Sequence, residues 1–174
     1  MADRARVLLF SGDGKGKTTA ALGTLLRAGG HGMRGLVIQF VKSDSRTGEI
    51  AGLNILGADI MQTGRGFIPS PDKPEYEEHR RAARTGMEEA GKAVASGMYD
   101  IIVLDEICVA VWKGLVSEED VLALIAKAPS GICLILTGRG ATEALIGAAD
   151  TVTEMRMVKH GYQAGIPEQK GVEY

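Results

Sequence analysis

The chain has 174 residues, of which 45% are hydrophobic and 24% are charged, a composition typical of a folded globular protein rather than a disordered one. Its 20 Lys and Arg residues nearly balance its 22 Asp and Glu residues, so no overall charge is available to attract nucleic acid or an anionic membrane. No stretch approaches the ~18 apolar residues of a membrane span, and residues 1–6 lack the apolar run of a signal peptide, so we expect a cytoplasmic protein without membrane contact.

Short apolar runs alternate with helix-like stretches along the whole chain. We predict strands at residues 7–10, 36–40, 58–61, 101–104, 132–136 and 152–157. We predict helices at residues 17–28, 75–96, 117–127 and 142–148. This alternation predicts an α/β fold, with a mostly parallel central sheet and helices on both faces, in a single domain over residues 1–174. Composition alone predicts a loose terminus for residues 159–174.

The glycine-rich segment at residues 11–18 follows the first predicted strand and opens the first helix, which is the setting that a P-loop requires. Its glycines allow several backbone N–H groups to face one anion, and the helix dipole adds positive potential. Lys17 supplies charge for phosphate oxygens, and Thr18 offers a hydroxyl to Mg²⁺. Ser11 stands where the usual pattern has glycine, and a plain glycine turn that caps a helix is the alternative. We therefore expect ATP with Mg²⁺, and the predicted nucleotide-binding residues are Gly12, Asp13, Gly14, Lys15, Gly16, Lys17, Thr18 and Thr19.

Asp105 and Glu106 directly follow the apolar strand predicted at residues 101–104. Ligands of open α/β sheets bind at the carboxyl ends of the strands, so both carboxylates are predicted to reach the phosphate site. Asp105 is predicted to hold Mg²⁺ through water, and Glu106 to approach the same metal, together with Thr18. The alternative for Asp105 is a simple helix N-cap.

Arg139 lies between two glycines just after the strand predicted at residues 132–136. It should therefore reach the same edge of the sheet and contact phosphate or substrate, with a plain turn and a solvated arginine as the alternative. Trp112 is predicted to be a core residue rather than a platform for base stacking. Cys108 and Cys133 lie in apolar surroundings and are expected to be small core residues in a reducing compartment.

Taken together, these motifs resemble the ATP:corrinoid adenosyltransferases of adenosylcobalamin synthesis. The likeness covers nearly the whole chain and is carried by GDGKGKTTAA at residues 12–21, RAGGHG at 27–32, VIQF at 37–40, LDE at 104–106, TGRG at 137–140 and QKGVEY at 169–174. The short lysine-rich P-loop together with the QKGVEY ending is far more specific than either motif alone.

The resemblance implies a P-loop, RecA-like domain, usually a homodimer, whose C-terminal tail is an ordered part of the active region. The family transfers the 5′-deoxyadenosyl group of ATP to the Co(I) of cob(I)alamin or another corrinoid and releases triphosphate, after an electron donor has reduced the cobalt. Because Co(I) is itself the nucleophile, the protein must mainly position ATP and stabilise the departing triphosphate. Lys15 and Lys17 are the predicted catalytic residues for that second task.

The sequence departs from the family pattern at two informative positions. Asp13 stands where asparagine is commoner, and the usual Phe-x-Trp pair is reduced to one aromatic, Phe67, which the resemblance predicts to contact the corrinoid. Two other functions are compatible with a P-loop. One is a phosphotransferase or ATPase, although the four-cysteine zinc site common in related deoxynucleoside kinases cannot be built from two cysteines. The other is a non-enzymatic module that binds nucleotide or corrinoid.

Overall fold

The computed structural model describes residues 4–172, and its centre is a six-stranded parallel sheet in the order β3-β2-β4-β5-β1-β6. The strands are β1 (Arg6–Ser11), β2 (Gly35–Gln39), β3 (Asp59–Gln62), β4 (Ile101–Asp105), β5 (Cys133–Thr137) and β6 (Thr151–Glu154). The helices are α1 (Lys17–Gly29), α2 (Gly48–Ile55), α3 (Tyr76–Ser96), α4 (Ile107–Trp112), α5 (Glu118–Lys127) and α6 (Glu143–Ala148), followed by a 3₁₀ turn at Gly161–Ala164.

Helices cover both faces of the sheet, which confirms the predicted α/β fold. On one face α1 and α2 pack through Ala21, Leu25 and Leu53 against alternate residues of the central strands. On the other face α3 to α6 bury the opposite set of strand residues, including Ile102 and Leu104. Strands β2 and β4 are buried at every position, as expected for strands covered on both sides.

Two helices were not predicted from the sequence. Helix α2 contains two glycines in eight residues, so its propensity signal is weak. Helix α4 is apolar at all six positions, so it shows no amphipathic period that would identify it as a helix. Within residues 4–172, no helix combines the length and the apolar content that crossing a bilayer requires.

Strand β6 ends at Glu154, three residues earlier than predicted, because the next residue leaves the sheet to pair with the glycine-rich loop. The amide of Gly14 donates a hydrogen bond of 2.6 Å to the carbonyl of Met155, whose own amide donates to Ser11 at 2.8 Å. The segment that follows β6 is therefore fixed against the loop that follows β1.

Candidate active site

The loop between β1 and α1 is shaped by glycines that no other residue can replace without movement. Gly12 and Gly16 have φ values of 96° and 105°, in the left-handed region that side chains disfavour. A Cβ atom on Gly12 would lie 2.5 Å from the carbonyl oxygen of Met155, and one on Gly14 would lie 2.7 Å from the same atom. The loop therefore has both the conformation and the close backbone packing expected of a phosphate cradle.

Lys17 is the first residue of α1, and its side chain folds back over this loop. Its Nζ donates hydrogen bonds to the carbonyl oxygens of Gly12 at 2.7 Å and Gly14 at 2.6 Å. Burial lowers the pKa of Lys17, while the charge of Glu106 opposes that shift and the charge of Arg139 adds to it. The amine is thus held at the centre of the loop by dipoles, in a position to meet phosphate oxygens.

Asp105, at the end of β4, is completely buried and surrounded by donors. Its Oδ1 accepts hydrogen bonds from the hydroxyls of Thr18 at 2.7 Å and Thr137 at 2.8 Å. Its Oδ2 accepts one from the amide of Gln39 at 3.2 Å and lies 3.5 Å from the ammonium of Lys42. Asp105 does not act as an N-cap, because its side chain contacts residues that follow or end other strands and accepts no hydrogen bond from the amides of α4. The predicted meeting of Asp105 and the P-loop is thereby observed.

Strand β5 lies between β4 and β1, so Asp105 reaches the P-loop across an intervening strand. Thr137, the last residue of β5, bridges the gap. Its hydroxyl donates to Asp105 and accepts a hydrogen bond of 2.9 Å from the amide of Glu106. Glu106 has a φ of 62°. Among residues 4–172, no other residue except glycine has a positive φ. Burial, and then the charge of Asp105, raise the pKa of the Glu106 carboxyl.

Lys42 and Glu49 belong to this network but were missed from the sequence. Lys42 follows β2, and its Nζ lies 2.9 Å from Oε1 of Glu49, a residue of the unpredicted helix α2. Burial alone would lower the pKa of Lys42, but the charges and hydrogen bonds of Asp105 and Glu49 outweigh burial and raise it. Lys42 could have been identified from its position just beyond β2, because β2 is a neighbour of β4. That argument requires the strand order, which the sequence does not give.

A cavity of about 780 Å³ opens at this edge of the sheet. Its lining includes Lys15, Thr19 and Arg139, which the sequence predicted as ligands of the nucleotide. It also includes Glu106, and the tail returns to it through Val172. Asp13, by contrast, is exposed on the loop. Glu173 and Tyr174, the last two residues of the QKGVEY motif, lie outside the described residues.

The prediction that Trp112 is a core residue is wrong. The side chain is 60% exposed and lines the 780 Å³ cavity at the end of α4, packed against Gly140 of the loop that carries Arg139. The prediction rested on the apolar run that precedes Trp112. This run forms α4, which ends at Trp112, so the indole lies at the rim of the cavity instead of in the core.

Phe67 lies in the loop after β3 and is not part of the cavity lining, although the amide of the preceding Gly66 donates a hydrogen bond of 2.7 Å to the carbonyl of Val41, which lines the cavity. Its side chain is 93% exposed, and the neighbouring Arg65 lies 3.5 Å from Glu78 of α3. An aromatic side chain displayed in this way offers a large apolar surface to a partner or ligand.

The donor set around Thr18 suits Mg²⁺. Among residues 4–172 there is no group of three or more His, Cys, Asp or Glu side chains that could hold a metal by themselves. Mg²⁺ needs few protein ligands, because water and phosphate oxygens complete its octahedron. The hydroxyl of Thr18 donates a hydrogen bond to Asp105, so the lone pairs of the Thr18 oxygen remain available to a cation.

Comparison with known proteins gives one consistent result. A family model described as "ATP:corrinoid adenosyltransferase BtuR/CobO/CobP" matches residues 3–174. A corrinoid adenosyltransferase of Pseudomonas aeruginosa is 38% identical over 99% of this chain and 85% of its own length. Corrinoid adenosyltransferases of Escherichia coli K12 and Salmonella typhimurium are each 36% identical over 99% of this chain and 87% of their own lengths.

Proposed function

The chain belongs to the ATP:corrinoid adenosyltransferase family, and we propose that its P-loop holds Mg²⁺-ATP while the 5′-deoxyadenosyl group passes to the Co(I) of a corrinoid. The enzyme is a transferase that adenosylates corrinoids at the expense of ATP in cobalamin biosynthesis.

The observation that carries the placement of ATP is the contact between the P-loop and the acid of β4. Thr18 and Asp105 are joined by a hydrogen bond of 2.7 Å beside the buried amine of Lys17, at the floor of one cavity. Phosphate oxygens placed there meet backbone amides, the ammonium of Lys17 and the start of α1 together.

The reaction needs no nucleophile from the protein. An electron pair of Co(I) forms the bond to C5′, the C5′–O bond breaks, and its electrons leave with the triphosphate oxygen, so that cobalt becomes formally Co(III). Charge therefore accumulates on the triphosphate as the bond breaks. Lys15, Lys17 and Arg139 line the same cavity and stabilise that charge in the transition state.

We also propose that Thr18, Asp105 and Glu106 hold Mg²⁺, with Thr18 in direct contact and the two carboxylates acting through water. Bound Mg²⁺ supplies a further positive charge to the phosphate oxygens. The oxygen-only character of these side chains and the position of Thr18 in the cavity lining support this arrangement.

The corrinoid side of the site is proposed to include Phe67. A flat apolar macrocycle is a suitable partner for an aromatic side chain that the protomer leaves almost fully exposed. A cytoplasmic homodimer, served by a separate electron donor that delivers Co(I), completes the proposal. Sedimentation at micromolar protein concentration measures the assembly directly.

An anaerobic absorbance assay with chemically reduced cobalamin, ATP and Mg²⁺ tests the reaction. The expected result is a light-sensitive alkylcobalamin formed in equal amount with triphosphate. Lys17→Ala should abolish it, whereas Lys92→Ala, which removes a lysine from the exposed surface of α3, should leave it intact. Formation of ADP and phosphate without alkylation would instead identify an ATPase or kinase, and binding of both ligands without product would identify a binding module.

A further inference from the structure

A second cavity, of about 930 Å³, is built by the segment that follows β6 and lies beside the P-loop. We call it the tail cavity. It is lined by Lys15 and Arg139 together with residues of the stretch 156–168. Lys15 and Arg139 also line the 780 Å³ cavity, so the two cavities meet at these two cations.

The charge of the tail cavity is strongly positive. Arg156 and Lys159 add to Lys15 and Arg139, whereas Glu168 is the acidic side chain in its lining. His160 also lines it, and its Nδ1 accepts a hydrogen bond of 3.1 Å from the amide of Tyr162. Four Lys or Arg side chains against one carboxylate favour a ligand with several negative charges.

This cavity has a fixed position relative to the phosphate site. The hydrogen bond of 2.6 Å from Gly14 to Met155 holds the residue before Arg156 against the P-loop. Further along, the amide of Ile166 donates to the carbonyl of Gly161 at 3.0 Å, which closes the turn around the 3₁₀ segment. The cations of the tail are thus placed by backbone pairing next to the loop that binds phosphate.

The strand order places the tail cavity far from Phe67, the residue proposed to contact the corrinoid. Phe67 lies in the loop after β3, which is tied back towards β2 by a hydrogen bond of 2.7 Å from the amide of Gly66 to the carbonyl of Val41, whereas the tail follows β6 at the far edge and adjoins β1. With strands ~4.8 Å apart, β2 and β6 are separated by about 19 Å. A displacement at C5′ requires the attacking cobalt and the departing oxygen on opposite sides of the carbon, so the triphosphate leaves away from the corrinoid.

We propose that the tail cavity is a subsite for the triphosphate leaving group, in which Arg156 and Lys159 bind its distal phosphates during and after transfer. This rests on the proposed function, because an adenosyltransferase releases an intact triphosphate. The chain of cations from Lys17 through Lys15 and Arg139 to Arg156 lets the product move from the P-loop without losing positive contacts.

The test measures binding of inorganic tripolyphosphate by calorimetry at fixed ionic strength, without corrinoid. The double variant Arg156→Gln/Lys159→Gln should bind about tenfold more weakly than the wild type, because it loses two charge-assisted contacts. Both side chains are exposed, so the core is not disturbed. The matched control is Arg84→Gln/Lys127→Gln, which removes the same two charges from a separate cavity between α3 and α5 and should stay within about twofold of the wild type.

Unchanged tripolyphosphate affinity in the tail variant would overturn the subsite, as would a loss no larger than that of the control. Wild-type adenosylation is assayed in parallel. If the wild type adenosylates the corrinoid but the tail variant binds tripolyphosphate normally, the subsite alone fails. If the wild type makes ADP and no alkylcobalamin, the proposed function fails whatever the binding result.

Discussion

Thr137→Val should lower the free energy of unfolding and also weaken the proposed binding of Mg²⁺. One buried hydroxyl holds both Asp105 and Glu106 in place. The side chain of Thr137 is completely buried, donates to Asp105 at 2.8 Å and accepts from the amide of Glu106 at 2.9 Å. Valine has nearly the same shape, so the substitution opens no cavity. It removes a hydrogen bond to a charged group and leaves the amide of Glu106 without this acceptor.

The expected cost follows from these two losses. A hydrogen bond to a charged group contributes about 1.5–3 kcal/mol, and an unsatisfied buried amide costs about 1–3 kcal/mol. Since Asp105 keeps the donors Thr18, Gln39 and Lys42, we expect the free energy of unfolding to fall by about 2–4 kcal/mol in total. Thr137→Ser keeps the hydroxyl and loses one methyl group, which should cost only about 1 kcal/mol.

Urea denaturation of the three proteins measures these differences, provided that the m-values agree. The Mg²⁺ concentration required for half-maximal adenosylation should rise for valine and stay near the wild-type value for serine. A valine variant as stable as the wild type, or a serine variant as unstable as valine, would show that the hydroxyl bridge does not hold the two carboxylates in place.

Three further substitutions test the other parts of the site. Lys17→Ala should weaken ATP binding roughly 100-fold, because the loop loses its central cation, and unchanged affinity in a calorimetric titration would exclude the phosphate-loop assignment. Asp105→Asn should raise the Mg²⁺ requirement about tenfold, because the amide NH₂ must face the donors that now meet Oδ1 or Oδ2; an unaltered Mg²⁺ titration would contradict the metal role. Phe67→Ala should raise the KM for the corrinoid about tenfold with little change in the KM for ATP, and a defect confined to ATP would remove Phe67 from the corrinoid site.

The parts of the fold that sequence could predict are those determined by local pattern. The central strands are continuous apolar runs, and the glycine-rich loop between a strand and a helix is recognisable by itself. The helix predicted at residues 117–127 begins with a cap, since the hydroxyl of Ser117 accepts a hydrogen bond of 3.1 Å from the amide of Asp120. Each of these features depends on residues close together in the chain.

The contacts of the site that sequence reasoning missed depend on the order of strands in the sheet. Thr137 bridges Asp105 and Glu106 because β5 lies next to β4, and Lys42 reaches Asp105 because β2 lies on its other side. Composition predicted a loose tail, whereas the resemblance implied an ordered one. The structure places Val172 on the lining of the 780 Å³ cavity, a long-range contact that local composition does not encode.

The surroundings of Asp105 bear on why the site would transfer a nucleoside rather than hydrolyse ATP. Hydrolysis requires a group that positions or deprotonates water, and a carboxylate at the end of a strand near the phosphates is a usual choice. Here Oδ1 accepts from two hydroxyls, and Oδ2 faces the Gln39 amide and the Lys42 ammonium. A carboxylate whose two oxygens meet four donors fixes Thr18 and balances the charge of Lys42, and taking up a proton from water would disrupt these contacts. These contacts therefore place Asp105 to order Thr18 and Lys42 rather than to act as the base that activates a water molecule.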